Sequence, residues 1–487
     1  MDNSQLKSKM VRAAKWSSIT EILAKVITPI TNIILARILA PEAFGILATI
    51  TMIISFVDMF TDSGFQKYLV QYQFKNKVEK IKHSNVAFWT NLFVSFFLWA
   101  LVAIFNEDIA VMVGNPGLGN VIVIACIQLP LTSFSSIQMA LYRREFDFRT
   151  LFWVRMVSVL LPFIITIPLA LLGFNYWALI IGAICGRAAN AILLTIKSEW
   201  KPEWFYSFSI LKKMLSFSIW SLFEAISIWL TLWIDTFIIG YFLNEYYLGL
   251  YKTSTIMVNS LFALITGATT PVLFSALSRL QNDNQSFNNT FLKMQRLISI
   301  LVFPLGVGVY LYSDLATEIL LGSKWMEASP VIGIWALTSS IMIVFGHYCS
   351  ELYRAKGQPK LSFLAQILHL IVLVPVCIIA ANYGFWVLVY ARSLIRLQSI
   401  IVNFIIMKVV IKFPIVKIFT NIFPMILASL GMGIVAFWLK QSFTNIVWSI
   451  FSIILCIVIY FGFLCLFKSL RKELFNTVIN LKSGKSP

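Results

Sequence analysis

Apolar residues fall in long, nearly uninterrupted runs separated by short polar segments, and this spacing dominates the chain. A helix needs about 20 mostly apolar residues to cross the hydrocarbon core of a bilayer. Fourteen such runs are present, at 16–38, 43–62, 84–105, 119–140, 151–172, 176–196, 217–241, 247–274, 293–313, 329–348, 362–381, 385–407, 418–438 and 446–467. The pattern therefore predicts an all-α polytopic membrane protein with about 14 transmembrane helices. Pro29, Pro162, Pro271, Pro304 and Pro375 fall inside these runs, as is tolerated where neighbouring helices satisfy the freed carbonyls. Of the 487 residues, 59% are apolar and 12% charged. Soluble domains carry about a quarter charged residues, so lipid is the expected solvent.

The placement of charge sets the orientation. Of the 39 Lys and Arg residues, 30 fall in the segments that share a side with the N-terminus, from Lys7 and Arg12 through Arg143-Arg144 to Lys485, whereas the opposite loops hold Lys324 and Lys440. Acidic residues such as Glu107, Asp108, Asp314 and Glu318 populate that opposite side. The positive-inside rule then puts both termini in the cytoplasm. It also accounts for the formal charge of +18 without nucleic acid as a partner. Glu21 and Lys25 lie within the first apolar run, which reads as a retained helix rather than a signal peptide.

The two halves can be laid over one another. At a shift of 204 residues Trp16-Ser17 falls on Trp220-Ser221, Gly45 on Gly249 and Thr49 on Thr253; at 211, Leu141-Tyr142-Arg143 falls on Leu352-Tyr353-Arg354; at 209, Arg187 falls on Arg396. Helix one thus matches helix seven and helix six matches helix twelve, a parallel repeat. The expected organisation is an N-terminal six-helix lobe (1–200), a cytoplasmic linker (201–216), a C-terminal six-helix lobe (217–407), and a further helix pair with a basic tail (408–487).

Ionisable groups at mid-membrane cost several kcal/mol unless they face protein or water. Arg187 and Arg396 lie near the middles of helices six and twelve, Arg392 one turn from Arg396, Lys25 in helix one and Lys252 in helix eight. A guanidinium fork suits phosphate oxygens, so these five are candidate substrate-binding groups of a cationic cavity. The alternative for each is a structural bond to a helix carbonyl or neighbouring acid. Asp58, Glu224, Glu21 and Asp235 are candidates for ion coupling, because a buried carboxylate can exchange protons. Against this, Glu21 and Lys25 are spaced to neutralise one another. Asp62 shares a face of helix two with Asp58, and the alternative for it is simple access to water. Asp235 can pair with Arg37 or Lys252.

Other chemistry is not indicated. The six cysteines lie singly in apolar runs and the three histidines are scattered, so no metal site or catalytic triad is expected. There is no phosphate-cradling Gly-rich loop, and no cofactor is called for. Most tryptophans read as interface anchors (Trp16, Trp177, Trp325, Trp386) or lipid-facing bulk.

Leu39-Ala40-Pro41-Glu42-Ala43-Phe44-Gly45 resembles the LxPxxFG signature of the polysaccharide transporter branch of the multidrug/oligosaccharidyl-lipid/polysaccharide (MOP) flippase superfamily. Asp62-Ser63-Gly64-Phe65, Leu141-Tyr142-Arg143 with Phe146, and Arg354-Ala355-Lys356-Gly357 with Lys360 are similar to its other turns and paired inner loops. The likeness is strongest to Wzx-type flippases of lipopolysaccharide and exopolysaccharide repeat units. It implies a transporter rather than an enzyme, sited in a bacterial inner membrane. The implied substrate is an undecaprenyl-pyrophosphate-linked glycan, moved between leaflets with its tail among the membrane lipids. Polysaccharide polymerase and glycosyltransferases are candidate partners. The rivals are a drug/cation antiporter of the same superfamily, which calls for an acidic or apolar cavity, and a membrane glycosyltransferase or polymerase, which calls for a sizeable outer loop.

Overall fold

The computed structural model describes residues 3–442, 445–467 and 470–471; among these, the side chains of residues 3–11, 14, 18, 21–22, 61–64, 216–221, 223–224 and 359 lie outside the described set. Every regular element among the described residues is helical. In chain order the long helices are α1 (Asn3–Ile38), α2 (Pro41–Gln71), α3 (Lys77–Ile104), α4 (Gln128–Arg144), α5 (Phe148–Leu171), α6 (Tyr176–Lys197) and α7 (Phe208–Phe242). They continue as α8 (Glu245–Arg279), α9 (Asn284–Leu311), α10 (Ser329–Met342), α11 (Pro359–Ala381), α12 (Phe385–Val409), α13 (Ile415–Ser442) and α14 (Ile446–Leu466). Among the described residues, thirteen stretches, from Pro41–Phe60 to Ile446–Leu466, are long and apolar enough to cross a membrane. They coincide with thirteen of the fourteen expected runs. The first run is helical within α1 but is not among the thirteen, and several of its side chains lie outside the described residues.

Helix is what lipid leaves to a spanning backbone, since each N–H and C=O must find its partner within the segment. Prolines interrupt that ladder inside α1, α5, α8, α9, α11 and α13 without ending the helices. The loops at the basic-poor end carry short helices of their own, Asn106–Met112 after α3 and Ser313–Leu320 after α9. At the basic-rich end, Asn76, Asp147 and Asp283 cap α3, α5 and α9 by accepting from first-turn amides. Such caps stabilise a helix start by about 1 kcal/mol.

The chain divides into two compact units, Met1–Thr253 with Cys377–Leu388, and Ser254–Val376 with Val389–Pro487. In the first, α2 is the shared post, packing on α3, α4, α6 and α7. Its Ile46, Ile50, Ile54 and Val57 meet Val102, Ile122, Leu129 and Ile180 near one end. Phe65, Tyr68 and Leu69 meet Phe88, Ile137, Leu141 and Met214 near the other. Arg144 closes the end of α2, its guanidinium donating to the carbonyls of Leu69, Val70 and Tyr72 at 2.9, 3.1 and 2.7 Å. The connection before α7 is seated on α3: Trp200 Nε1 donates to Asn85 Oδ1 at 3.1 Å, and Trp89 stacks on Trp204 at 4.1 Å.

In the second unit α9 packs against α10 and α13, and α13 against α14. Arg296 Nε donates to Asn421 Oδ1 at 2.8 Å, while Asn421 Nδ2 donates to the Leu292 carbonyl at 2.7 Å, so a polar clasp joins α9 to α13. α10 runs into a π turn at Ile343–His347, where the Val344 carbonyl accepts from Gln295 Nε2 at 3.0 Å. Trp325, expected as an interface anchor, is instead fully buried.

Candidate functional site

Arg187 owes its position to the residues just before it. Gly182 and Gly186 form a small-xxx-small step on α6 that lets the helix press onto α5. A Cβ on Gly182 would lie 1.9 Å from Thr166 Oγ1, and one on Gly186 2.6 Å from Pro162 Cγ. With that face taken up, Arg187 reaches across to α2, where its Nη2 stands 3.6 Å from Asp58 Oδ2. The arginine side chain remains 47% exposed and the carboxylate 19%, so the pair is open on the cationic side. Lys25 on α1 is partly buried. Glu21 and Glu224, like Asp62, have side chains outside the described residues.

Asp235 is a buried carboxylate on α7. Its Oδ2 accepts from the Tyr251 hydroxyl at 2.8 Å, and its Oδ1 from the Thr236 amide at 2.7 Å. Lys252 Nζ donates to Thr236 Oγ1 at 3.0 Å and lies 3.9 Å from the centre of the Trp233 ring. The structure thus brings Asp235 and Lys252 together through Thr236.

In the second unit, Arg392 and Arg396 lie one turn apart in the middle of α12, and both guanidiniums stand over the indole of Trp335 on α10. The Arg396 Cζ is 4.2 Å from the ring centre and the Arg392 Cζ 5.4 Å. Arg396 Nη1 also donates to Ser339 Oγ at 2.9 Å, one turn along α10 from the indole. The ring is fixed from its far edge, where Nε1 donates to Asn259 Oδ1 at 3.1 Å. His369 on α11 pairs with Gln398 of α12 at 3.0 Å. Arg392 is buried at 7% exposure, whereas Arg396 is only partly buried. Trp335, Ser339 and Asn259 carry no sequence signal that separates them from the other aromatic and polar residues of the helices.

At the basic-poor end of the first unit, α2 and the first turn of α8 meet backbone to backbone, as do α7 and the loop at Val113–Gly114. A Cβ on Gly45 would lie 1.9 Å from the Glu245 carbonyl oxygen, and one on Gly249 1.8 Å from that of Pro41. Gly114 and Gly240 meet likewise, with the Gly240 carbonyl 1.6 Å from a Cβ on Gly114. Below this crossing Trp229 Nε1 donates to Ser55 Oγ at 3.0 Å. Gly45 ends the LxPxxFG motif and Gly249 is its repeat counterpart, so the motif serves a close helix crossing.

Known proteins agree with this architecture. The family described as "Polysaccharide biosynthesis protein" matches residues 34–330. An uncharacterized membrane protein in the cps region of Klebsiella pneumoniae is 25% identical over 374 residues, 76% of each chain. The succinoglycan biosynthesis transport protein ExoT of Rhizobium meliloti is 25% identical over 333 residues, 68% of this chain and 67% of that one. Among solved structures, the lipid II flippase MurJ in an inward closed conformation superposes with a TM-score of 0.76 at 17% identity, covering 94% of this chain and 99% of that chain. The resemblance of the motif residues to the polysaccharide branch of the MOP superfamily is borne out, and the chain belongs to the polysaccharide biosynthesis protein family.

Proposed function

We propose that the chain is a flippase that moves an undecaprenyl-pyrophosphate-linked oligosaccharide from the inner to the outer leaflet of a bacterial plasma membrane, for surface polysaccharide synthesis. The observation that carries this reading is a pair of guanidiniums, Arg392 and Arg396, held at mid-span of a membrane helix with Arg396 accessible. Cations at that depth are retained for a reason, and the arginine fork fits the oxygens of a pyrophosphate. Arg187, half exposed beside Asp58, is the third such cation and the counterpart of Arg396 in the repeat. Lys25 and Lys252 add positive charge, while Asp58, Asp235, Glu21 and Glu224 are the groups through which an ion gradient acts. The lobes 1–200 and 217–407 alternate access around these groups, with 408–487 as an accessory pair, both termini cytoplasmic and the polyprenyl tail left in lipid. The names of the similar proteins, a succinoglycan transport protein and a lipid II flippase, support a lipid-linked glycan.

The test is genetic. Arg187→Ala with Arg396→Ala abolishes surface polysaccharide while immunoblotting finds normal amounts of protein in the membrane. Normal polysaccharide in that strain refutes the reading, and transport of cationic dyes in place of glycan puts the chain among the antiporters.

A further inference from the structure

Trp335 is set apart by what surrounds it. It is a large aromatic ring at 5% exposure, so it cannot itself stack on a sugar. Its face is occupied by two like charges from one helix, at 4.2 and 5.4 Å, and its N–H is tied to Asn259. Two guanidiniums one turn apart repel each other, and the repulsion is stronger in a low-dielectric interior than in water. The negative face of an indole offsets part of that, and is the strongest of the natural aromatic faces for a cation. A cation over a ring is held there without spending its N–H donors on the contact. Arg396 uses one of those donors on Ser339.

We infer that Trp335 is the positioning residue of this cationic site: its indole, locked by Asn259, fixes the place from which Arg396 meets the anionic head group and keeps Arg392 beside it as a second charge. The inference rests on the reading of Arg396 as a pyrophosphate contact, and it adds a division of labour. Arg396 touches the ligand, Arg392 reinforces it from a buried position, and Trp335 orients both without touching the ligand.

Fluorination weakens the face of an indole while changing its size little, and so separates orientation from packing. Full-length protein is prepared with tryptophan, 5-fluoro-, 5,7-difluoro- and 4,5,6,7-tetrafluorotryptophan placed at position 335 alone, and its affinity for undecaprenyl pyrophosphate is measured in detergent. The expected result is a graded loss, about 2- to 30-fold across the series, which is the range a desolvated cation–π contact allows. Arg396→Ala in the unfluorinated protein loses binding. Flat affinity across the series, with Arg396→Ala still losing binding, overturns the role of Trp335 and leaves the pyrophosphate reading in place. Unchanged affinity in Arg396→Ala overturns both.

Discussion

Gly249→Ala is the substitution whose consequence the geometry fixes most tightly. The added methyl meets the Pro41 carbonyl oxygen at 1.8 Å, where ordinary contact begins at 3.4 Å. A backbone oxygen at the start of a helix cannot swing aside as a side-chain tip can, so α8 and α2 must part by roughly 1.5 Å at their crossing. Gly45→Ala imposes the same demand from the other side, against the Glu245 carbonyl. The hydrogens these glycines carry in place of Cβ point at those oxygens, as weak C–H···O contacts at close helix crossings do. Overpacking of this kind costs about 1–3 kcal/mol. In the flippase reading the cost falls on the state in which this end is shut and spares the state in which it is open. The equilibrium then moves toward the open state by about 5- to 150-fold per substitution. Ser55, bonded to Trp229 below the crossing, reports the change. In a background without native cysteines, Ser55→Cys is labelled by a membrane-impermeant maleimide added outside the cell. Gly249→Ala raises the labelling rate, and the Gly45→Ala, Gly249→Ala pair raises it further. Unchanged labelling in the double variant, with the protein intact in the membrane, refutes the assignment of these glycines to a closure.

Further outcomes follow from the same packing. Gly186→Val drives a branched side chain into Pro162 and Ser158 of α5 and lowers the melting temperature in detergent, whereas Gly308→Ala, which meets nothing within 4 Å, leaves it unchanged. Asp58→Asn removes the partner of Arg187, and a double-mutant cycle with Arg187→Gln returns a coupling of about 1 kcal/mol or less, because the pair is partly exposed. Hydrogen bonds from Ser286, then its amide and that of Gln285, hold the Asp283 carboxyl below its ordinary value. Its capping stabilisation is therefore complete above the unfolded-state value of about 3.9 and is lost as pH falls below it. Asp283→Ala speeds amide exchange at Gln285 and Ser286 at neutral pH, and that difference from the parent shrinks in acid.

The crossings were legible because hydrophobic length is a local property, and thirteen of the fourteen runs reappear as spans. The family motif was legible as a string, but its purpose was not. Gly45 meets Glu245 across 200 positions, and hydropathy records nothing of which helices touch. The same holds for Gly182 and Gly186, which read only as small residues in an apolar run. Arg144, read as one of the charges that set orientation, also caps α2, because three carbonyls at that helix end converge on it. Among the candidate charges, the pairing of Arg392 with Arg396 was visible from their spacing. The aromatic that holds them was not, since Trp335 lies about 60 residues earlier on another helix. Arg187 was found as a cation at mid-run, but not its contact with Asp58, which needs the α5–α6 seam to aim it.

The central claim is movement of a lipid-linked glycan along membrane-embedded arginines. Purified protein in liposomes, with a fluorescent undecaprenyl-pyrophosphate oligosaccharide in one leaflet, gives the direct measurement: the rate at which the label becomes reachable from the other side. The account predicts rapid exchange with the wild-type chain and exchange no faster than in protein-free liposomes with the Arg187→Ala, Arg396→Ala chain. Equal rates for the two chains, or no exchange by the folded wild-type protein under an applied ion gradient, would contradict it.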